Sequence, residues 1–157
     1  MLTALIDYES GNLHSALKAF EKISSENSLG SVTITNDPEI ISNADRLVLP
    51  GDGAFPACKA ALEKSEVFEA LKHAVLAKRR PFLGICVGMQ LMAKKGFEFE
   101  PTNGLNWING QVERIQLDDP SLKIPHMGWN EIAIDYDHAI LKDIKNGDHF
   151  YLSLIHI

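Results

Sequence analysis

The chain of 157 residues carries 21 acidic against 15 basic side chains, a formal net charge of −6, with 45% apolar and 23% charged residues. That balance fits a folded domain with a core of its own and excludes a disordered segment. It also excludes a basic nucleic-acid stripe, since Lys78-Arg79-Arg80 is the longest cationic run, and a membrane span, since no apolar run approaches about 18 residues. The two cysteines, Cys58 and Cys86, make no disulfide framework and suit a reducing cytoplasm. The six histidines show no metal-ligand spacing, so no metal and no cofactor are expected. Met1 to Asp7 lacks a basic leader pattern and reads as the start of a domain.

In chain order, Leu2–Ile6 is an apolar strand that ends in the polar loop Asp7-Tyr8-Glu9-Ser10-Gly11-Asn12. Asn12 or Ser10 can cap the helix that follows, whose Leu13, Ala16, Leu17, Phe20 and Ile23 keep a spacing of three and four. Ser24–Gly30 reads as a loop and the β-branched run Ser31–Thr35 as strand two. Asp37 is the N-cap of a short helix with Pro38 at its first position. Arg46–Leu49 is strand three. It ends in Pro50-Gly51-Asp52-Gly53-Ala54-Phe55, a Gly-rich loop with no Walker Lys-Ser/Thr behind it. Asp52 opposes a phosphate, so the choices are an oxyanion hole or an ordinary turn. Cys58–Lys64 and Val67–Lys78 are helical, the second with Phe68, Leu71, Val75 and Leu76 on one face.

Pro81 then opens strand four, which runs into Gly84-Ile85-Cys86-Val87-Gly88 and a helix over Val87–Lys94 that Gly96 stops. G-x-C-x-G is the thiol counterpart of the nucleophile elbow: the glycines allow strand and helix to pass closely, and the turn lifts the sulfur toward a substrate. The alternative, a buried structural cysteine, is the commoner fate of a lone Cys. The β-α alternation implies a parallel sheet with helices on both faces. Beyond residue 100, Asn109-Gly110 predicts a hairpin turn, Asp118–Ser121 a turn, and Phe150–Ile157 a strand. Pro125-His126-Met127-Gly128-Trp129-Asn130 is a Pro/Gly loop whose Trp129 either fills a core or faces a partner.

Taken together, the elbow Gly84–Gln90, the loop Pro50–Phe55, Asp7–Leu13 and Pro125–Asn130 resemble the class I, triad-type glutamine amidotransferases. The branch is the glutaminase subunit of imidazole glycerol phosphate synthase, and the likeness extends from about residue 2 to Tyr151. The resemblance implies an α/β, flavodoxin-like fold: a three-layer sheet of mostly parallel strands with helices on both faces, in a single domain over 1–157. It implies hydrolysis of L-glutamine to glutamate and ammonia. It also implies passage of the ammonia to a cyclase subunit, held as a heterodimer, that makes imidazole glycerol phosphate and an aminoimidazole carboxamide ribonucleotide in L-histidine biosynthesis. By the same resemblance Cys86 is the nucleophile, and Asp52, Gly53 and Val87 supply oxyanion N–H groups, the loop donor after a peptide flip. Gly51, Gln90 and Glu98 hold the glutamine. Pro125, His126, Met127 and Trp129 face the cyclase and couple its occupancy to the oxyanion loop. Asp52 stands where the family has a small apolar residue. The family's His-Ser-Tyr and His-Pro-Glu segments have no match after Tyr151. The expectation is therefore an incomplete domain, by frameshift or fragment, with a catalytically inactive cyclase-binding subunit as the alternative reading. A redox protein with a flavodoxin-like cysteine elbow is disfavoured by Pro125–Asn130.

Overall fold

The computed structural model describes residues 1–119 and 121–157; Pro120, inside the expected Asp118–Ser121 turn, lies outside the described residues. The chain forms two compact units, Met1–Val112 and Glu113–Ile157.

The first unit is built on four parallel strands in the order β2-β1-β3-β4. These are β1 (Leu2–Ile6), β2 (Ser31–Thr35), β3 (Arg46–Gly51) and β4 (Phe82–Cys86). The two central strands are apolar on both faces, as parallel strands covered by helices must be. Ala4, Ile6, Leu47 and Leu49 join a core with Ile41, Phe55, Leu62 and Leu71. Leu5 and Val48, one residue out of phase, are buried outside that core. From β1 the chain goes to β2 on one side, and from β3 to β4 on the other. The reversal opens a crevice beyond the carboxyl ends of β1 and β3, where α/β sheets place their sites.

The helices follow their end signals. α1 (Leu13–Asn27) starts at Asn12, whose side chain accepts from the Ser15 N–H at 3.2 Å. It runs four residues past the expected stop, because polar Ser24–Asn27 sits on a solvated helix without strain; left-handed Ser28 (φ 54°) ends it instead. α2 (Pro38–Asn43) is capped by Asp37, which accepts from the Glu39 N–H at 2.8 Å. α3 spans Phe55–Lys64, and α4 (Phe68–Lys72) passes into a π-helical turn, His73–Ala77. That turn carries Ala74 into the core and leaves Leu76 54% exposed, so the expected apolar face loses one member.

The chain departs most from expectation after Cys86. The helix there, α5, is only Val87–Gln90, and Ala93–Gly96 is a strand, β5, rather than more helix. β5 pairs antiparallel with β6 (Thr102–Asn103) and parallel with β7 (Ile108–Val112). Gly96 therefore stops no helix; it is a buried strand residue where a Cβ would lie 2.7 Å from the Phe55 ring. Asn109-Gly110 makes no hairpin turn. It lies inside β7, where the register with β5 is irregular, so the ladder overrides a local turn preference.

In the second unit β8 (His126–Glu131) and β9 (His149–Leu154) pair antiparallel, Trp129 opposite Tyr151. The expected Pro125–Asn130 loop is thus mostly strand. An Arg114–His156 bridge extends the pairing, with Glu113 and Ile157 exchanging backbone bonds of 2.9 Å.

Two glycines set how closely α5 lies on the sheet. A Cβ at Gly88 would fall 1.8 Å from the Leu49 carbonyl oxygen, and one at Gly84 would fall 2.5 Å from Met89 Cα. Both neighbours are backbone and cannot yield by a rotamer change. Gly88→Ala should cost at the upper end of about 1–3 kcal/mol or more in urea unfolding. Gly110→Ala, with nothing within 4 Å of its new methyl, should stay within about 0.5 kcal/mol. Equal losses for the two would contradict this account of the elbow.

Candidate active site

Cys86 is the last residue of β4 and is exposed, which sets aside the buried structural cysteine. Its backbone sits at φ 55°, ψ −120°, a region that side-chain-bearing residues rarely occupy and that marks a position held by its surroundings. The surroundings are identifiable. The β3–β4 ladder holds Cys86 from one side, in register with Gly51, and buried Val87 and Gly88 anchor α5 on the other. With α5 a single turn, dipole support for a thiolate is limited to the N–H groups of that turn.

The register opposite Cys86 leads directly into the Gly-rich loop. Gly51 is closely enclosed: a Cβ there would lie 2.7 Å from the Tyr8 hydroxyl, 2.8 Å from Gly88 N and 3.2 Å from Val87 Cβ. Asp52 and Gly53 are exposed, and Gly53 takes φ +101°. The loop is tied to the turn after β1. Asp52 N–H donates to Ser10 Oγ at 3.3 Å, and Ser10 Oγ lies 3.0 Å from the Asp52 carbonyl oxygen. The Asp52 carboxylate accepts from Gly11 N–H at 2.7 Å and lies 3.3 Å from Ser10 Oγ. From below, Cys58 Sγ donates to the same carbonyl at 3.1 Å. Burial pushes the Cys58 thiol above its ordinary pKa, with Ser10 and Tyr8 opposing, so it serves as a neutral donor rather than a second nucleophile.

Gln90 is half-buried on α5. Glu98 is half-buried as well, and its Oε2 accepts from Phe55 N–H at 2.7 Å, at the start of α3, where Ala54 offers no side-chain cap. The structure thus brings Cys86, Val87, Gly51 and the Asp52–Gly53 loop together. Pro125, His126, Met127 and Trp129 belong to the second unit. There all four are exposed on or beside β8, with Trp129 edge-on to Tyr151 at 5.6 Å and 69% exposed. Trp129 therefore fills no core. No cluster of metal-ligating side chains occurs among the described residues. A cavity of about 310 Å³ lies beyond β1 and β2, lined by Asp7, Tyr8, Asn36, Lys64 and Glu66 among others; neither Cys86 nor Asp52 lines it.

Sequence reasoning missed Tyr8 as the close neighbour of Gly51, and Ser10 and Cys58 as the hydrogen-bond partners of the loop. The signal for the first two is their place at the carboxyl end of β1. Cys58 carried none, because a helical cysteine looks the same whether or not it reaches a carbonyl.

A family profile described as "Glutamine amidotransferase class-I" matches residues 4–153. The imidazole glycerol phosphate synthase subunit HisH of Cereibacter sphaeroides is 54% identical over 152 residues, spanning 96% of this chain and 72% of that protein. The subunit of the same name from Ruegeria pomeroyi is 56% identical over 152 residues, with the same two shares, 96% and 72%. That of Caulobacter vibrioides is 48% identical over 151 residues, 96% of this chain and 71% of the relative. With an exposed cysteine on a strained strand–helix turn, a Gly-rich loop in register beside it, and these likenesses along nearly its whole length, the chain belongs to the class-I glutamine amidotransferases, in the group of the HisH subunits.

Proposed function

We propose that this chain hydrolyses L-glutamine to glutamate and ammonia at Cys86 and delivers the ammonia to a cyclase subunit with which it forms a heterodimer. The cyclase uses it to make imidazole glycerol phosphate and an aminoimidazole carboxamide ribonucleotide in L-histidine biosynthesis. The observation that carries the reading is the placement of exposed Cys86, at φ 55°, in register with Gly51.

The chemistry follows from that placement. The Cys86 sulfur, as thiolate, attacks the side-chain amide carbon of glutamine. The C=O π electrons move onto oxygen, and the tetrahedral oxyanion needs two N–H donors. Val87 N–H, the first of the elbow turn, is one. The second comes from Asp52 or Gly53. In the structure Asp52 N–H is given to Ser10, so the loop must turn before that donor is available. Collapse of the intermediate breaks the C–N bond, and the nitrogen leaves as ammonia by taking up the proton that the thiol gave up to solvent; water then adds to the glutamyl thioester, the C–S bond breaks, and glutamate leaves as the thiol is restored. Gly51 keeps the loop backbone close to the substrate. Gln90 and Glu98 hold the amino-acid end of glutamine, a carboxylate suiting the ammonium group; the bond from Phe55 N–H fixes that carboxylate's orientation. Pro125, His126, Met127 and Trp129 form the cyclase-facing surface, an exposed aromatic and methionine being typical anchors of such contacts.

Two outcomes are expected. With the cyclase present, release of ¹⁵N-ammonia from amide-labelled glutamine should fall by at least about 10⁴-fold in Cys86→Ala, as for loss of a nucleophile. Retained release would remove Cys86 from the chemistry, whereas cyclase binding without release by the unmodified chain would leave a binding subunit only. Trp129→Ala should weaken cyclase binding by about 10–100-fold in calorimetry, as for an anchor residue; unchanged affinity would move the partner surface elsewhere.

A further inference from the structure

Asp52 places a carboxylate on the Gly-rich loop, one residue beyond Gly51, the partner of Cys86 in the β3–β4 register. The carboxylate is held in place. Its Oδ1 accepts from Gly11 N–H at 2.7 Å and lies 3.3 Å from Ser10 Oγ. Gly11 itself is pressed against the loop, since a Cβ there would stand 2.9 Å from Pro50 Cβ. Both partners of the carboxylate are neutral, and none of the ion pairs among the described residues includes Asp52. A negative charge is therefore fixed beside the site with no cation to offset it.

Its field reaches the groups around the loop. Burial is the largest cause that lifts the Cys58 thiol above its ordinary pKa, and the Asp52 carboxylate adds to it. The Tyr8 phenol is raised in the same way, by burial first and with the Asp52 charge contributing. In both, a nearby negative charge disfavours the anionic form. Any other anion brought to the loop meets the same opposition.

The reaction makes such an anion. Glutamine arrives with a neutral side-chain amide and departs as glutamate, whose side-chain carboxyl is ionised near neutral pH. That end of either molecule lies at Cys86, against the loop, while the ammonium end lies toward Glu98. Substrate and product thus differ by one negative charge at the end nearer Asp52. Glu98 is charged as well, but the ammonium group it meets is common to both ligands, so it does not separate them.

We propose that Asp52 is a specificity-determining residue of the glutaminase site, its carboxylate repelling the newly formed side-chain carboxylate of glutamate, so that the product leaves and does not compete with glutamine. The inference rests on the reading of Cys86 as the glutamine nucleophile. The same repulsion bears on the tetrahedral oxyanion, but there the direct N–H donors decide the outcome. One such donor changes kcat by about 10²–10³-fold, against about two- to fivefold for an exposed, solvent-screened charge.

The test compares the two ligands at equilibrium on the full chain with its cyclase, in a Cys86→Ala background that stops turnover. Binding of labelled L-glutamine and its displacement by L-glutamate give two dissociation constants. Their ratio cancels any change in loop order that affects both ligands alike. With Asp52 in place, glutamate should bind more weakly than glutamine. Asp52→Asn keeps an acceptor for Gly11 N–H and removes the charge; the glutamate-to-glutamine ratio should fall about two- to fivefold. Asp52→Ala should produce the same fall in the ratio, whatever it does to both affinities together. The difference between Asp52 and either variant should shrink at about 1 M salt, where charges are screened within about 3 Å. An unchanged ratio in Asp52→Asn, or a fall that salt does not diminish, overturns the role of Asp52 while the glutaminase reading stands. So does a fall in Asp52→Asn that Asp52→Ala does not share, which would report a new amide hydrogen bond. If Asp52→Ala does not fold, Asp52→Asn with the salt series decides the matter. Absence of glutamine binding by the Cys86→Ala chain overturns the glutaminase reading, and the role of Asp52 with it.

Discussion

Backbone meets backbone where α5 crosses the end of β3, and the site depends on that approach. Gly88 stands so near the Leu49 carbonyl that a methyl group would overlap it. The close approach draws the elbow onto the sheet and keeps Cys86 level with Gly51. It also holds the Cys86 backbone in a conformation an unconstrained cysteine would leave. The strain is stabilised by what lies beneath it: the β3–β4 ladder and the buried side chains of Leu49, Val87 and Leu91. Catalytic geometry here is a property of packing before it is a property of the reactive side chain.

Much of this was legible in the residues. The elbow could be read because two glycines flanking a cysteine, between an apolar run and a helix start, have few other uses. The strands and the Asp37-Pro38 helix start could be read because period and capping are local. What could not be read was non-local. Val87–Lys94 has the composition of a longer helix, yet Ala93–Gly96 is worth more as the partner of β6 and β7. Asn109-Gly110 has the chemistry of a turn, yet the same ladder keeps it extended. Pro125–Asn130 has the look of a loop, and only its partner strand, about twenty residues further on, makes it one half of a ribbon. In each case the deciding group lies outside any window in which propensity operates.

The site shows the same division. Cys86 and the Gly-rich loop declare themselves by residue type. Tyr8, Ser10 and Cys58 do not, because their importance is that they reach the backbone of another segment. Asp52 is the instructive case. Read alone, its carboxylate suggested only repulsion of an anion. In the fold it is turned back onto the Gly11 N–H, and it steadies the loop it sits on.

Ser10 carries a single hydroxyl proton but stands within reach of the Asp52 carbonyl, the Asp52 carboxylate and the Cys58 sulfur at 3.0, 3.3 and 3.3 Å. It can satisfy them only in turn. The tether between the two loops is therefore a rotor shared among competing acceptors rather than a fixed bolt. Each exchange gives up one partner as it gains another, while the bonds from Gly11 N–H to the Asp52 carboxylate and from Cys58 Sγ to the Asp52 carbonyl stay in place.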